Sequence, residues 1–383
     1  METQCFINGI GIGNQPVSGI TVSSDKLADT LKLPQIIVIH SSLDVRSILT
    51  TSMQDNVVGH VLPQTGNYSH AAWAVEYYGK SGLATNISVS AGIYAKLDPQ
   101  KGQICEINSS AVEAFNKIST TQYSPYTKYS SAIEVRAQLL TSYDLQIALQ
   151  KGACGIGEAK AELLSSVTNL TSQGGFDPVL IDIIEKSEWR DVPIRFFDNL
   201  DDKCSHERLA ASSLGLRGVR MLRSAPEMLD AYISLIPKEL RTTFTCILPM
   251  VNSPSEVEQV RLAASGKIKN VGALVETPNA VIEARQIAEV SDMIIVGTND
   301  LAQYTFAWSR DYPYERMTTQ KFDSSILHQL NIVAKACDDT QTIWGLPIDW
   351  APTPELVQQV VELNPTFIAA TPAYIEEWLN ALR

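Results

Sequence analysis

The length, composition and charge of the chain exclude several classes of protein. The chain has 383 residues, of which 45% are hydrophobic, and its formal net charge is −12. This acidic balance argues against nucleic acid and against an anionic membrane as partners, because both repel a negatively charged protein. The apolar runs have only the length of single strands, so we expect no membrane-spanning helix. The length favours two or three domains, although one α/β barrel can take about 250 residues as a single unit.

The N-terminus and the cysteines indicate a reducing compartment. METQCFINGIGIG lacks the basic region and the long apolar core of a secretory signal. None of the six cysteines belongs to a CxxC pair, and we expect all of them to be reduced and the protein to be cytoplasmic. The cysteines are Cys5, Cys105, Cys154, Cys204, Cys246 and Cys337.

The first third of the chain predicts a compact β/α domain. A helix is expected to start near Ser42, and residues 109–131, rich in Ser, Thr and Tyr, are typical of a linker. The GxG of the first segment is followed by no helix, so we reject a dinucleotide site. Strands are predicted within residues 5–22, 34–40, 57–63 and 85–107.

His70 is the candidate catalytic residue of this first domain. Gly66 and Asn67 predict a turn, Ser69 can cap a helix, and residues 71–78 favour a helix. His70 would then lie in the first helical turn, where free N–H groups and the helix dipole stabilise a phosphate on an imidazole nitrogen. An isolated Ser-His pair at a helix start is more often structural, so spacing alone leaves both interpretations open. The other histidines have no metal-ligand spacing and predict structural or surface roles; they are His40, His60, His206 and His328.

From residue 132 to the end the chain alternates strands and helices. Eight strands over about this length favour a (β/α)₈ barrel, in which chemistry is placed at the carboxyl ends of the strands. The strands are predicted at 134–140, 152–158, 192–198, 243–250, 271–276, 292–298, 342–348 and 366–371.

Oxygen-rich residues end two neighbouring strands, with a helix predicted between them over 279–289. Glu276 closes one strand, and Asn299 and Asp300 close the next. Both ends lie on the same side of a parallel sheet, so Glu276 and Asp300 can share one hard cation such as Mg²⁺. An acidic residue after a strand can also be a helix N-cap or a solvated charge.

Two arginines are candidates for holding an anion. Arg195 lies in the strand DVPIRFFD, and Arg217 lies in GLRGVR, a loop-to-helix segment. Bidentate guanidinium groups suit phosphate and carboxylate, although a surface salt bridge is the common alternative for Arg217.

These motifs together resemble the phosphoenolpyruvate (PEP)-utilising enzymes: enzyme I of the sugar phosphotransferase system, PEP synthase and pyruvate phosphate dikinase. VETP, GTNDL and QYT resemble the PEP-binding barrel, and GNYSHAAWAVE resembles the swivelling phosphohistidine domain, with Tyr68 and Glu76 as departures. The resemblance implies an α/β fold, a (β/α)₈ TIM barrel preceded by a smaller swivelling β/α phosphohistidine domain. The implied bounds are 1–108 for that domain, 109–131 for a linker and 132–383 for the barrel.

The resemblance also implies roles for single residues. His70 would take the phosphoryl group, Arg195 and Arg217 would hold the PEP phosphate, and Glu276 and Asp300 would hold Mg²⁺. Arg310, helped by Asn299, would meet the PEP carboxylate, and Lys160 replaces a family arginine in the substrate site.

One departure changes the chemistry that the resemblance implies. The family ends its seventh strand with a cysteine that protonates the enolate carbon, whereas this chain reads WGLPIDWAP. Pro347 takes the place of the cysteine and has no acidic proton. Asp349 could supply one if the loop refolded to present it.

Three functions remain open at this point. The first is a PEP-dependent phosphotransferase that passes phosphate from His70 to a small molecule or a protein. The second is a PEP- or pyruvate-binding regulator, supported by Pro347, Lys160 and Glu76. The third is an enzyme whose enolate forms a carbon–carbon bond. Nothing in this sequence resembles an ATP-grasp domain, and we expect no carrier-docking helical insert. A homodimer through the barrel is compatible with the apolar C-terminal segments.

Overall fold

A computed structural model describes the larger part of the chain as two compact units, one within residues 5–109 and one within 132–383. The domain bounds given above stay a prediction. The described residues are 5–7, 9–13, 16–27, 33, 35–54, 56–63, 70–109, 132–161, 176, 178–186, 191–198, 215, 217–223, 225–307 and 322–383.

The first unit is an eight-stranded mixed sheet with the strand order β1-β8-β7-β3-β4-β5-β6-β2. Its centre, β3 to β6, is parallel, and the strands toward both edges pair antiparallel. The strands are β1 (Cys5–Ile7), β2 (Ile10–Ile12), β3 (Val17–Ser23), β4 (Ile36–Ile39), β5 (Val57–Pro63), β6 (Ser81–Thr85), β7 (Tyr94–Asp98) and β8 (Gln103–Glu106). The helices are a 3₁₀ turn (Ser24–Lys26), α1 (Val45–Ser52) and α2 (His70–Tyr77).

Both faces of this sheet are covered, as parallel strands require. Ile37 packs with Val61 and Leu83 in one apolar cluster, whereas its neighbours Ile36 and Val38 pack in another. Successive strand residues point to opposite faces, so one short run, QIIVI, supplies both cores. Strands lie within each of the predicted ranges, but β6 lies almost wholly outside them. The helix expected near Ser42 begins at Val45.

The prediction that all six cysteines are reduced is wrong for Cys105, which is disulfide-bonded. Cys105 on β8 lies opposite Cys5 in the antiparallel pair with β1. Residues one hundred positions apart become neighbours only through this strand pairing, which cysteine spacing does not reveal. Cys154, Cys246 and Cys337 in the second unit are free thiols.

The second unit is a closed barrel of eight parallel strands, as predicted. Each strand pairs with the next, and the ring closes where Phe367 of the last strand pairs with Glu134 of the first. The strands are β9 (Glu134–Leu139), β10 (Ile156–Lys160), β11 (Val192–Arg195), β12 (Phe244–Leu248), β13 (Asn270–Val275), β14 (Met293–Val296), β15 (Ile343–Ile348) and β16 (Phe367–Ala370).

Helices follow the strands and place their apolar sides on the barrel. Most strand bounds lie a few residues from the predicted ones, and two elements differ more. Gly152, with φ 92°, follows α3, so the strand predicted from 152 begins at Ile156. The helix predicted over 279–289 is interrupted at Glu283. The helices are α3 (Ser142–Gln150), α4 (Pro178–Lys186), α5 (Glu227–Ser234), α6 (Pro254–Ala263), α7 (Pro278–Ile282), α8 (Ala284–Glu289), α9 (Thr298–Phe306), α10 (Ser324–Thr340), α11 (Pro354–Leu363) and α12 (Ile375–Leu382), with 3₁₀ turns at Gly218–Arg223 and Lys238–Leu240.

The barrel interior is a packed core. Ile247, Leu274, Ile295 and Phe367 belong to one buried cluster that fills it. A Cβ on Gly345 would lie 2.1 Å from the Phe367 ring, so this glycine makes room for an aromatic side chain. Polar chemistry is therefore left to the two ends of the barrel. Among the described residues no helix is both long enough and apolar enough to cross a bilayer.

Candidate active site at the carboxyl end of the barrel

Glu276 directly follows β13 at the carboxyl end of the barrel. Thr277 caps the next helix by accepting a hydrogen bond from a backbone N–H of its first turn, and Pro278 occupies the first helical position. Both are standard start signals for a helix. The chain therefore leaves the strand and turns at once, which keeps Glu276 at the rim.

The carboxylate of Glu276 is buried and closely surrounded by backbone atoms of Met250 and Gly297. Glu276 is only 2% exposed, and its Oε1 accepts a hydrogen bond of 2.7 Å from the backbone N–H of Met250. Met250 adopts a left-handed conformation with φ 58°, which is costly for a residue with a side chain. A Cβ on Gly297 would lie 2.6 Å from Oε2 of Glu276, so glycine is required there to make room for the carboxylate.

Arg217 joins Asp198, which follows β11, to Asp300 in the first turn of α9. Its Nη2 lies 2.7 Å from Oδ2 of Asp198, and its Nη1 lies 2.9 Å from Oδ1 of Asp300. All three side chains are buried. Gly218, with φ 52°, permits this arrangement because a Cβ would meet the carbonyl oxygen of Pro249 at 2.3 Å.

Three further polar side chains border this network. The hydroxyl of Tyr304 accepts a hydrogen bond of 3.1 Å from Nη1 of Arg217. Arg195, the last residue of β11, places its Nη1 3.9 Å from Oδ2 of Asp198. Lys160 ends β10 and is the register partner of Arg195, so the two cationic side chains end adjacent strands.

The electrostatics of the site follow from burial. Burial raises the pKa of Glu276 well above its usual value, and the nearby charges of Asp300 and Asp198 raise it further. Burial works to lower the pKa of Arg217, but the charges of Asp198 and Asp300 outweigh it and raise that pKa. Three carboxylates thus face two guanidinium groups in a region of low dielectric, where an additional cation would be stabilised.

The donor set fits a hard divalent cation. Oδ1 of Asn299 is buried without a hydrogen-bond partner and belongs to the residue beside Asp300. An amide oxygen and carboxylates are suitable Mg²⁺ ligands, and Mg²⁺ needs few of them when substrate oxygens complete its shell. Within the part of the chain that the structure describes, no group of three or more His, Cys, Asp or Glu side chains forms a dedicated metal cage.

The structure brings most of the proposed substrate and metal residues to one end of the barrel. The charges of Arg195, Arg217 and Asp300 all act on Glu276, and Asn299 precedes Asp300 in the first turn of α9. Arg310 lies outside the described residues. His70 is the first residue of α2, as its helix-start interpretation predicts, but its side chain is also outside the described part.

Sequence reasoning missed several members of this site. Asp198 is the final residue of the IRFFD stretch, and its acidic position after a strand was a usable signal. Tyr304 lies one turn after Asp300 on α9, a spacing that places both on one helical face. The backbone N–H of Met250 and the space at Gly297 have no side-chain signature.

Glu76 replaces the arginine that the resemblance expects in α2. Its Oε1 accepts a hydrogen bond of 3.0 Å from the backbone N–H of Gly13, which has φ 78°. The substitution therefore gives a turn at the sheet edge a partner, and this accounts for an acidic residue at the position.

The fold and the rim define a class: a (β/α)₈-barrel protein with buried carboxylates and guanidinium groups at the carboxyl ends of its strands. The family model of the PEP-binding domain of PEP-utilising enzymes matches residues 116–382, which is most of the chain. The chain therefore belongs to the PEP-utilising enzyme family.

Named relatives agree with this family at low identity. The phosphoenolpyruvate-protein phosphotransferase of Streptomyces coelicolor is 29% identical over 178 residues, covering 44% of this chain and 32% of the relative. That of Priestia megaterium is 26% identical over 223 residues, covering 53% and 39%. Pyruvate, phosphate dikinase 2 of Oryza sativa is 30% identical over 118 residues, covering 26% and 13%. The chain matches well under half the length of each relative.

Proposed function

We propose that this protein is a PEP-dependent phosphotransferase. PEP binds at the carboxyl end of the barrel, its phosphoryl group passes to His70, and His70 passes it to a small-molecule or protein acceptor. The observation that carries the proposal is the buried set of Arg217, Asp198, Asp300 and Glu276, in which bidentate guanidinium chemistry meets acidic strand ends. Such a set suits a trianionic phosphate ester together with a cation.

The polar residues at the carboxyl end of the barrel have separate roles in the transfer. Arg195 and Arg217 hold the phosphoryl oxygens, Arg310 and Asn299 meet the carboxylate, and Lys160 adds positive charge. Their electrostatic field stabilises the charge that spreads over the phosphoryl oxygens as the bond to the enol oxygen breaks. The new bond forms to an imidazole nitrogen of His70, and the enolate of pyruvate remains.

Glu276 and Asp300 would hold Mg²⁺ in this proposal. The ion would supply positive charge to the oxygens of the phosphoryl group during transfer. The unpartnered amide oxygen of Asn299 and the raised pKa of Glu276 support a cation at this place.

Labelling with PEP tests the proposal directly. The protein is incubated with PEP carrying a labelled phosphate and with Mg²⁺, and the bound label is tested for acid lability. We expect acid-labile label on the wild type and none on His70→Ala. An acid-labile label that survives in His70→Ala would refute the role of His70.

A PEP-sensing regulator is the second candidate, and Pro347 in β15 is the observation that favours it. Proline supplies no proton at the place where the family has its cysteine. For a sensor, PEP with Mg²⁺ would raise the thermal midpoint of the wild type while no label appeared on His70. The same two measurements therefore separate the two functions.

A further inference from the structure

We propose that Asp349 is the acid–base residue that exchanges the proton at carbon 3 of the bound three-carbon acid, and that Gln138 positions it. This inference rests on the proposed function, because it requires PEP or pyruvate at the carboxyl end of the barrel. It assigns a proton donor to a site in which Pro347 cannot be one.

Asp349 lies at the end of the barrel where the proposed ligand binds. It directly follows β15, whose last two residues pair with Ala369 and Ala370 of β16. In a closed parallel barrel this is the same end as Glu276 and Asp300, which follow β13 and begin α9. Asp349 is 7% exposed, so its carboxyl group lies inside this end without any refolding of the loop.

Gln138 on β9 binds the carboxylate of Asp349 across β16, the strand that lies between β9 and β15. Its Nε2 donates hydrogen bonds of 2.9 Å to Oδ1 of Asp349 and of 2.9 Å to the carbonyl oxygen of Ala369. Both amide N–H groups are thereby used, which fixes the amide plane and the position of Oδ1. The contact joins β9, the end of β15 and β16.

The side chain of Gln138 belongs to the barrel interior. Two residues earlier on β9, the guanidinium of Arg136 stacks over the ring of Phe367, a member of the interior cluster. Residues two apart in a strand share a face, so Gln138 faces the interior one layer nearer the ligand end. Asp349 is thus held by an interior side chain.

The proton transfer balances without any further reactant. With pyruvate bound, a C–H bond at carbon 3 breaks and the proton moves to the carboxylate of Asp349. The electron pair enters the bond between carbons 2 and 3, and the carbonyl oxygen becomes an enolate oxygen. After phosphoryl transfer from PEP the step runs in reverse: the O–H bond of Asp349 breaks, a C–H bond forms, and the enolate becomes a ketone.

Deuterium exchange into pyruvate tests this assignment. The full-length protein is incubated with pyruvate and Mg²⁺ in heavy water, and the loss of the methyl proton signal is followed by NMR. We expect the wild type to accelerate the loss over a protein-free sample. Asp349→Asn should lose about 100-fold or more of that acceleration, the usual contribution of a positioned acid or base. Asp338→Asn, an exposed aspartate on α10, is the matched control and should exchange like the wild type.

Gln138→Met tests positioning rather than chemistry. Loss of an N–H donor to the ionised carboxylate favours the protonated form, so the pH midpoint of the exchange should move upward. A merely structural Gln138 would lower the rate at all pH values without moving the midpoint, which would overturn its positioning role.

The outcomes separate this inference from the proposed function. Equal exchange by Asp349→Asn and wild type, or no exchange by a wild type that PEP labels at His70, overturns the role of Asp349 and leaves phosphotransfer intact. Exchange that depends on Asp349 in a protein that PEP does not label supports the inference and refutes phosphotransfer. The thermal midpoint of each variant confirms that it is folded.

Discussion

The two ends of the barrel both hold a buried arginine between carboxylates, and they differ in how those carboxylates meet water. At the amino end Arg136 pairs with Glu134 and Asp191, each at 2.7 Å, and stacks 4.3 Å from the centre of the Phe367 ring. The two acidic side chains are 47% and 32% exposed. At the carboxyl end the acidic partners of Arg217 are only 6% and 8% exposed.

This difference separates stability from function. Partly solvated carboxylates lose little hydration energy, so the amino end closes the barrel at low cost. The carboxyl end buries Asp198, Asp300 and Glu276 together, and burying three carboxylates lowers the free energy of unfolding. A bound cation together with its anionic ligand would balance the charge that remains. A left-handed Met250 adds backbone strain at the same place. Strain and buried charge concentrated at one end are typical of a ligand site.

Removal of the two arginines should give the largest contrast. Arg217→Met leaves buried carboxylates without their partner and should lower the free energy of unfolding by about 3–5 kcal/mol. Arg136→Met loses a stacking contact and half-solvated ion pairs, and should cost roughly 1–2 kcal/mol. Chemical denaturation measures both. Equal losses would contradict the contrast between the two ends.

A pH titration shows whether acid sensitivity comes from the barrel or from the first unit. His40 and His60 are buried there in a hydrogen-bonded chain with Ser52, with both bonds at 3.0 Å. Burial lowers the pKa of His40 to about 4, although the charge of Asp44 raises it slightly. Burial, His40 and Lys80 lower the pKa of His60.

These imidazoles stay neutral in the fold and take up protons when the chain unfolds. The contribution of these histidines to the free energy of unfolding is therefore fully present above pH 6.5, the ordinary pKa of histidine. It is lost as the pH falls toward 4. His40 alone should account for about 3 kcal/mol by pH 4. His40→Gln should flatten the pH dependence of unfolding, whereas the exposed His328→Gln should not. The raised pKa of Glu276 acts in the opposite direction, because this group favours folding more as the pH falls. If His40→Gln left the pH dependence of unfolding unchanged, the loss of stability in acid would come from other groups.

Two glycines offer a matched pair for the two ends. Alanine at Gly297 would place its Cβ 2.6 Å from the Glu276 carboxylate, and alanine at Gly345 would place it 2.1 Å from the Phe367 ring. Each overpacked variant should lose about 1–3 kcal/mol. Only Gly297→Ala should also lose the rise in thermal midpoint that PEP and Mg²⁺ produce. A loss of that rise in Gly345→Ala would show that the ligand response does not distinguish the two ends.

Neutralising Glu276 should produce the smallest change in stability and the reverse sign. Glu276→Gln removes a buried charge beside Asp300 and keeps an oxygen that accepts from Met250. The ligand-free protein should gain about 1 kcal/mol, while its response to Mg²⁺ disappears. A less stable variant would show that the repulsion at this end is already balanced without a ligand.

Much of the fold follows from sequence pattern, whereas much of the site does not. Short apolar runs with regular helices between them predict eight barrel strands, and acidic residues after strands predict Glu276 and Asp300. Strand ends are not fixed by the apolar pattern, because a residue such as Gly152 ends a helix through its backbone conformation.

The missing parts of the site depend on contacts between distant segments. Gln138 and Asp349 are 211 positions apart, and Arg217 and Asp300 are 83 apart. The hydrogen-bonding partner of a side chain across a closed barrel is fixed by register, which one sequence does not specify. The Cys105 disulfide depends on register in the same way, because β1 and β8, the first and last strands of the first unit along the chain, pair with each other.

Calorimetric titration of PEP tests most directly the claim that the carboxyl end of the barrel is the ligand site. The protein is titrated with PEP in the presence and absence of Mg²⁺, together with Arg217→Met and Arg136→Met, each first shown to be folded. We predict binding that Mg²⁺ strengthens in the wild type and in Arg136→Met, and none in Arg217→Met. Unchanged PEP binding in a folded Arg217→Met would contradict the account.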